Sequence, residues 1–169
     1  MKLFSLCLML LLLATTAHAR DELSGVITTI DPSNGTLEIS GVKIMAKDAD
    51  VQGVFFPGSL DKFKIGDKVE IEGEFTGPRQ MKATKVERKI FRHYEIEASL
   101  DKADPGTRIL EISGITIKVP GGITIEDLDD NPTSIAKLSI GQRVEVEGSW
   151  TGTAEFTADK IEMRREKQD

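Results

Sequence analysis

The chain has 169 residues, of which 28 are acidic and 22 are basic, and its net charge is −6 at neutral pH. A protein that neutralises phosphates needs a basic face, so this acidic balance disfavours nucleic acid as a partner. The single cysteine, Cys7, lies in an apolar N-terminal block. We therefore expect neither a disulfide nor a cysteine metal site in the remainder of the chain.

The segment from Met1 to Ala19 has the features of a cleavable export signal. Lys2 precedes the apolar block Leu3 to Leu13, and Ala17-His18-Ala19 has the small-x-small form that signal peptidase accepts. A block this short does not cross about 30 Å of hydrocarbon as a helix, so we expect no transmembrane anchor after cleavage. Export without disulfides favours a periplasmic or secreted bacterial protein.

A strand pattern follows the predicted signal. Leu23 to Asp31 is rich in β-branched residues and stops at Pro32-Ser33-Asn34-Gly35, which is a strong turn signal. Thr36 to Met45 continues the apolar alternation, with Gly41 in the middle of the run. A glycine at such a position predicts a bulge or sharp bend in one long second strand.

A short helix is predicted next. Ser59 is placed to cap it, and Leu60 and Phe63 follow at helical spacing. We expect this helix to cover one end of a small barrel.

The stretch from Ile65 to Gly73 is the most regular in the chain. Its apolar residues alternate with charged ones, which is the pattern of a half-buried strand. We predict this strand over Val69 to Thr76, a turn near Gly77-Pro78, and a fifth strand over Met81 to Glu87.

The second half of the chain repeats this order. Ile65 to Gly73 returns as Ile140 to Gly148, and Leu37 to Gly41 returns as Leu110 to Gly114. Insertions between the two copies fall in loops while the strand patterns persist, as expected for a duplicated domain.

The predicted fold class is therefore all-β, with two tandem five-stranded OB-fold-like barrels and a short helix between strands 3 and 4 of each. The expected division is a signal peptide at 1–19, repeat 1 at 20–90 and repeat 2 at 91–169. No proline or glycine interrupts Lys85 to Ile96. We thus expect a stiff connection and a fixed arrangement of the two domains.

Four patterns carry the fold of the repeat: Gly25-Val26-x-x-x-Ile30-Asp31, Gly35-Thr36-Leu37-x-Ile39-x-Gly41-Val42, Ile65-Gly66-Asp67-x-Val69-Glu70-Ile71-Glu72-Gly73 and Ala83-x-x-Val86-Glu87. With them the chain resembles a secreted bacterial family catalogued as domain of unknown function 5666, and more loosely the periplasmic bacterial OB-fold proteins. The resemblance is found in both repeats and so covers nearly the whole mature chain. It implies OB-like barrels outside the cytoplasm and brings no catalytic residues.

Two adjacent aromatic residues, Phe55 and Phe56, lie in the loop before the predicted helix of repeat 1. Adjacent residues cannot both point inward from a regular strand. OB barrels use aromatic side chains to stack on planar groups or sugars, which makes both residues ligand-binding candidates. The alternative is a loop that covers the end of the barrel.

Basic residues gather at the predicted joint between the repeats: Lys85, Arg88, Lys89, Arg92 and His93. In an otherwise acidic protein such a group could hold an anion, an acidic peptide or a phosphate headgroup. We take Arg88, Arg92 and His93 as the candidates. The alternative is a set of solvated strand edges whose charges oppose aggregation.

Metal and catalytic patterns are weak. The acidic run from Glu126 to Asn131 lacks the glycine and terminal glutamate of an EF-hand, and we expect a solvated turn. His93 is the one histidine left after cleavage, so we predict no transition metal and no cofactor. The chain has neither a nucleophile elbow nor a phosphate-cradling glycine loop, and we expect a protein that is not an enzyme.

Trp150 aligns with Phe75 just after the repeated strand. An aromatic residue at the same place in both copies favours packing in the core or between the domains.

The sequence favours an exported, non-enzymatic binding or adaptor module whose partner is a small molecule, a peptide or an envelope protein. A first alternative is a structural or assembly protein that docks envelope proteins by strand addition. A second alternative is an uncharacterised hydrolase.

Overall fold

The computed structural model describes residues 20–53, 58–90 and 93–165. The predicted export signal therefore lies outside the described residues. Within these ranges the protein is all-β, and thirteen strands belong to one continuous sheet.

Among the described residues, no helix is long and apolar enough to span a membrane.

Five strands of repeat 1 form a closed ring of pairings. The elements are β1 (Asp21–Asp31), β2 (Thr36–Ile39), β3 (Val42–Met45), β4 (Asp50–Gln52), a 3-10 turn (Leu60–Lys62), β5 (Lys68–Gly77) and β6 (Gln80–Arg88). β1 pairs with β2, β2 with β3, β3 in parallel with β6, β6 with β5, and β5 with β1 again. The short β4 lies parallel to the far end of β6.

Repeat 2 has the same order. Its elements are β7 (Tyr94–Ser99), β8 (Lys102–Asp104), β9 (Ile109–Ile112), β10 (Ile115–Lys118), β11 (Thr124–Glu126), a 3-10 turn (Ile135–Lys137), β12 (Arg143–Gly152) and β13 (Glu155–Met163). β7 and β8 together occupy the place of β1, and they pair with β12 and β9 respectively. The structure thus confirms an all-β chain made of two repeats.

The core of each repeat consists of alternate strand residues, as the periodicity predicts. Val69 and Ile71 of β5 are 0 % exposed, and their equivalents Val144 and Val146 of β12 are equally buried. The predicted half-buried strand is confirmed, because the intervening glutamates remain partly accessible.

The prediction of one long, bent second strand is wrong. Ser40 and Gly41 have φ angles of 46° and 85°, and Ile39 pairs directly with Val42. Two consecutive residues with positive φ make a tight hairpin turn. The predicted strand is therefore an antiparallel pair, β2 and β3, and the second of these is the third strand of the ring.

A single 3-10 turn occupies the place of the predicted short helix. Leu60 and Phe63 are buried, as their spacing suggests. The Ser59 hydroxyl bonds to the Asp61 carboxylate and does not cap the backbone. The pattern thus identified the core contacts correctly, whereas the helical segment is only three residues long.

The two repeats meet along a seam, which we define as the pairing of β1 with β7. It is antiparallel and joins Glu22 to Glu97 and Leu23 to Ile96. Leu23 and Ile96 are equivalent residues of the two copies. Because equivalent residues pair with each other, the seam has approximate two-fold symmetry.

Two turns extend this symmetry: the turn between β5 and β6, and the equivalent turn between β12 and β13. We call them the hairpin tips. The Arg79 amide donates to the Ser113 carbonyl at 2.6 Å, and the equivalent Ala154 amide donates to the Ser40 carbonyl at 2.6 Å. Each tip thus binds the turn between the second and third strands of the other repeat. These reciprocal contacts support the predicted fixed arrangement of the domains.

Candidate functional site

A cleft of about 340 Å³ opens over the seam. Its lining comprises Glu22 of β1, Glu95 and Glu97 of β7, Glu145 of β12, and Arg164 and Arg165 beyond β13. Both repeats contribute to it, so the site exists only when they are docked. We call it the seam cleft.

Strand register brings the carboxylates of the seam cleft together. Glu22 lies opposite Glu97 across the seam, and Glu97 lies opposite Glu145 within repeat 2. Residues directly opposite each other in a sheet lie on the same face, and like charges in such pairs are destabilising. Oxygens of Glu22, Glu95 and Glu97 lie within 4.8 Å of one another. The sheet therefore holds a costly row of acidic groups at the junction.

Arg143 supplies the buried counter-charge below this row. Its Nε donates to Glu97 Oε1 at 2.8 Å, and an Nη donates to Asp21 Oδ1 at 3.0 Å. The other Nη donates to the Arg20 carbonyl. Arg143 and Glu97 are each 4 % exposed. The guanidinium therefore ties the first residues of repeat 1 to β7 and β12 of repeat 2.

The environment of the cleft changes the protonation of its glutamates. Burial, followed by repulsion from Glu145, Glu22 and other carboxylates, raises the pKa of Glu95 to about 7. Burial also raises the pKa of Glu145, although Arg164 opposes this effect. The Glu95 carboxyl is therefore protonated in a large fraction of the molecules near neutral pH.

The arginines at the rim already have partners. Arg164 Nε donates to Glu145 Oε2 at 2.7 Å, and an Nη of Arg164 lies 2.5 Å from Glu162 Oε2. Arg165 lies 3.0 Å from Asp129 Oδ1. The positive charge of the two rim arginines is thus largely neutralised. The glutamates that line the cleft therefore determine the chemistry that it offers to a ligand.

Oxygens as close as those of Glu22, Glu95 and Glu97 could surround a cation. However, Arg143 already neutralises Glu97, and the cleft is much wider than a bare ion. We assign no metal ligand here, and the absence of a metal or cofactor stays a prediction.

The residues that the sequence offered as ligand-binding candidates lie elsewhere. Phe55, Phe56 and Arg92 are outside the described residues. Arg88 donates to Asp67 Oδ2 at 2.6 Å and to the Lys62 carbonyl at 2.8 Å. Through these contacts Arg88 has a structural role inside repeat 1.

The basic group at the joint is distributed among ion pairs. His93 is exposed, with Nδ1 at 3.7 Å from Asp159 Oδ2. Lys85 lies 3.0 Å from Glu72 and 2.8 Å from Glu87, and Lys89 likewise bridges two glutamates. The described residues of the joint therefore do not gather into one positive surface, and ligand binding by them stays a prediction.

Trp150 packs between the repeats. Its Nε1 donates to the Ser24 carbonyl at 2.9 Å, and its ring meets Phe156 edge-to-face with 5.2 Å between centroids. The predicted core or interdomain packing is confirmed.

The acidic run from Glu126 to Asn131 begins at the last residue of β11 and continues as a turn. Asp127 Oδ1 accepts the amides of Asp129 and Asn131 at 2.9 and 3.0 Å. These hydrogen bonds lower the pKa of Asp127 and leave it as a structural cap, as expected.

Sequence reasoning missed the seam cleft. Glu95, Glu97 and Glu145 occur as Glu-x-Glu on amphipathic strands, a pattern that normally describes a solvated face, and Glu22 lies on a strand with the same alternation. The available signal was that Glu22 and its equivalent Glu95 both stand at the start of the first strand of a repeat. Only the pairing of those two strands brings the glutamates together.

Fold and sequence together define an all-β protein of two tandem repeats. The family model for a domain of unknown function (DUF5666) matches residues 24–87 and again residues 99–162, and the chain belongs to this family. No curated protein and no solved structure matches the chain.

Proposed function

We propose that this protein is an exported, non-enzymatic binding module of the bacterial envelope that holds its ligand in the seam cleft. The convergence of carboxylates from both repeats in one cleft carries the proposal. The signal-like features of residues 1–19 support export. The closed ring of strand pairings in repeat 1, and the same strand order in repeat 2, support the assignment of each repeat to the OB-like barrels.

The ligand that suits this cleft carries an ammonium or guanidinium group. Ionised carboxylates only accept hydrogen bonds, and charge-assisted bonds to a cationic donor are the strongest they make. A volume of about 340 Å³ accommodates a side chain of a basic peptide. We therefore infer a basic peptide segment as the ligand.

A lysine tripeptide tests this assignment, with the same peptide acetylated at its side chains as the uncharged control. At pH 8 the charged peptide should raise the melting temperature of the wild-type protein, because it binds only the folded state. Glu22→Gln should reduce this rise. Glu74→Gln, an exposed position on β5, should leave it unchanged. An equal rise with the acetylated peptide would contradict the proposal.

Hydrolysis is the second candidate, and one observation favours it. A glutamate with a pKa of about 7 beside a second carboxylate is the arrangement of a general acid and its partner in glycoside hydrolases. Hydrolysis of chromogenic glycosides that Glu95→Gln abolishes would support this alternative. Strand addition has less support, since most described strands pair with a strand on each side, and those that pair with only one strand are the three-residue β4, β8 and β11.

A further inference from the structure

The seam is held by few main-chain pairs at the point where its acidic groups are closest. β1 and β7 pair at only two positions, and one of these sets Glu22 opposite Glu97. Glu95 is fixed beside them, because its amide donates to Ser24 Oγ at 2.6 Å. We call Glu22, Glu95 and Glu97 the glutamate cluster. Any change in its charge therefore acts directly on the contact between the repeats.

Charged groups face Glu95 from each element around it. They are Glu22 of β1, Glu70 of β5, Glu97 of β7, Glu145 and Glu147 of β12, and Arg164 and Arg165 beyond β13. Arg143 acts on the cluster through Glu97, and Lys68 lies over the ring of Tyr94, the residue before Glu95. Carboxylates outnumber cations, and the two rim arginines also pair with carboxylates outside this group, Arg164 with Glu162 and Arg165 with Asp129.

We propose that the seam is a proton-sensitive junction, in which protonation of the glutamate cluster tightens the docking of the two repeats and ionisation loosens it. This inference goes beyond ligand binding and does not depend on it, because the protein alone should show the effect.

The direction of the effect follows from linkage. The pKa of Glu95 is raised from 4.5 to about 7 in the folded protein, so the folded state binds this proton more tightly than the unfolded state does. Its contribution to stability is complete below about pH 4.5 and is lost as the pH rises to about 7. Docking should accordingly be tightest in mildly acidic solution.

Trp150 is the single tryptophan of the protein and bonds to Ser24 across the seam, so its fluorescence reports on docking. We would titrate the purified protein, with no ligand added, from pH 5 to pH 9. Emission should shift to longer wavelength with a midpoint near pH 7, where Glu95 ionises. A flat titration of the wild-type protein would overturn the proposal.

Single substitutions test whether the glutamate cluster causes this fluorescence shift. Glu95→Gln imitates the protonated acid and should abolish the shift, whereas Glu74→Gln should retain it. Glu22→Gln removes a like charge and should move the midpoint to lower pH. His93→Asn should retain the shift, which excludes the histidine as its source. A transition that persists in Glu95→Gln, or that disappears in His93→Asn, would overturn the proposal.

Discussion

At the scale of single residues, Arg143 joins the two repeats directly. Its guanidinium is buried with Glu97 and also binds Asp21 at the start of β1. Removing one member of a buried ion pair leaves the other charge without compensation, which costs far more than the loss of an exposed pair.

We predict that Arg143→Met lowers the free energy of unfolding by about 3–5 kcal/mol, because Glu97 stays buried without its counter-charge. The control is Lys118→Met, which breaks an exposed pair with Glu155 at 2.7 Å and should cost about 0–1 kcal/mol. Urea unfolding followed by circular dichroism measures both. Equally small losses would show that the buried pair does not stabilise the junction.

Arg88 illustrates why charge in the sequence was a poor guide to a site. Its position among basic neighbours suggested an anion-binding surface, yet Asp67 lies within 2.6 Å of its guanidinium. Arg88 also lies 4.7 Å from the centre of the Phe63 ring. The sequence shows which charges are adjacent along the chain, whereas the fold determines which charges neutralise one another.

At the scale of elements, the pairing of β5 with β6 explains why the repeated motif ends in a second glycine, Gly73. Alternation in the sequence ends at Gly73, but β5 continues to Gly77. The register of β5 with β6 shifts between Glu72 and Gly73, which marks a bulge. A Cβ atom on Gly73 would lie 2.2 Å from the carbonyl oxygen of Lys82. This glycine is therefore needed for the close approach of two backbones.

Gly73→Ala should lower the free energy of unfolding by about 1–3 kcal/mol, because backbone must move to admit the methyl group. Gly148→Ala should behave alike in repeat 2, where the corresponding approach to the Thr157 oxygen is 2.1 Å. Gly77→Ala on the same strand meets nothing within 4 Å and should change stability by less than about 0.5 kcal/mol. Thermal denaturation of the three variants provides the comparison, and a loss in Gly77→Ala as large as in Gly73→Ala would refute this explanation.

At the scale of the whole molecule, docking should make the two repeats unfold together. The seam, the reciprocal hairpin tips and Trp150 all join one repeat to the other. A repeat of this size has a small core, so contact with its neighbour adds substantially to its stability.

Calorimetry of the wild-type protein should accordingly show one unfolding transition. Trp150→Ala should cost about 3–5 kcal/mol and separate the transition into two, because it removes the largest side chain between the repeats. Trp150→Phe keeps a ring and loses the bond to Ser24, so it should cost about 1 kcal/mol and retain one transition. Two transitions in the wild-type protein would mean that the repeats unfold independently.

The local features of this protein could be predicted from its sequence. Alternation placed Val69 and Ile71 in the core, and the duplication appeared directly as Ile65 to Gly73 and Ile140 to Gly148. Such patterns are legible because the period of a strand depends only on neighbouring residues. The hairpin at Ser40-Gly41 was missed, since a single glycine in a run is compatible with both a bend and a turn.

The tertiary structure alone determined the candidate site. Glu22 and Glu97 are far apart in the chain, and each belongs to an ordinary amphipathic strand. They become opposite neighbours only because β1 of one repeat pairs with β7 of the other. The sequence by itself determined two all-β repeats, because strand alternation is local. The docking of those repeats created the acidic cleft, because its lining comes from surfaces that no local pattern connects.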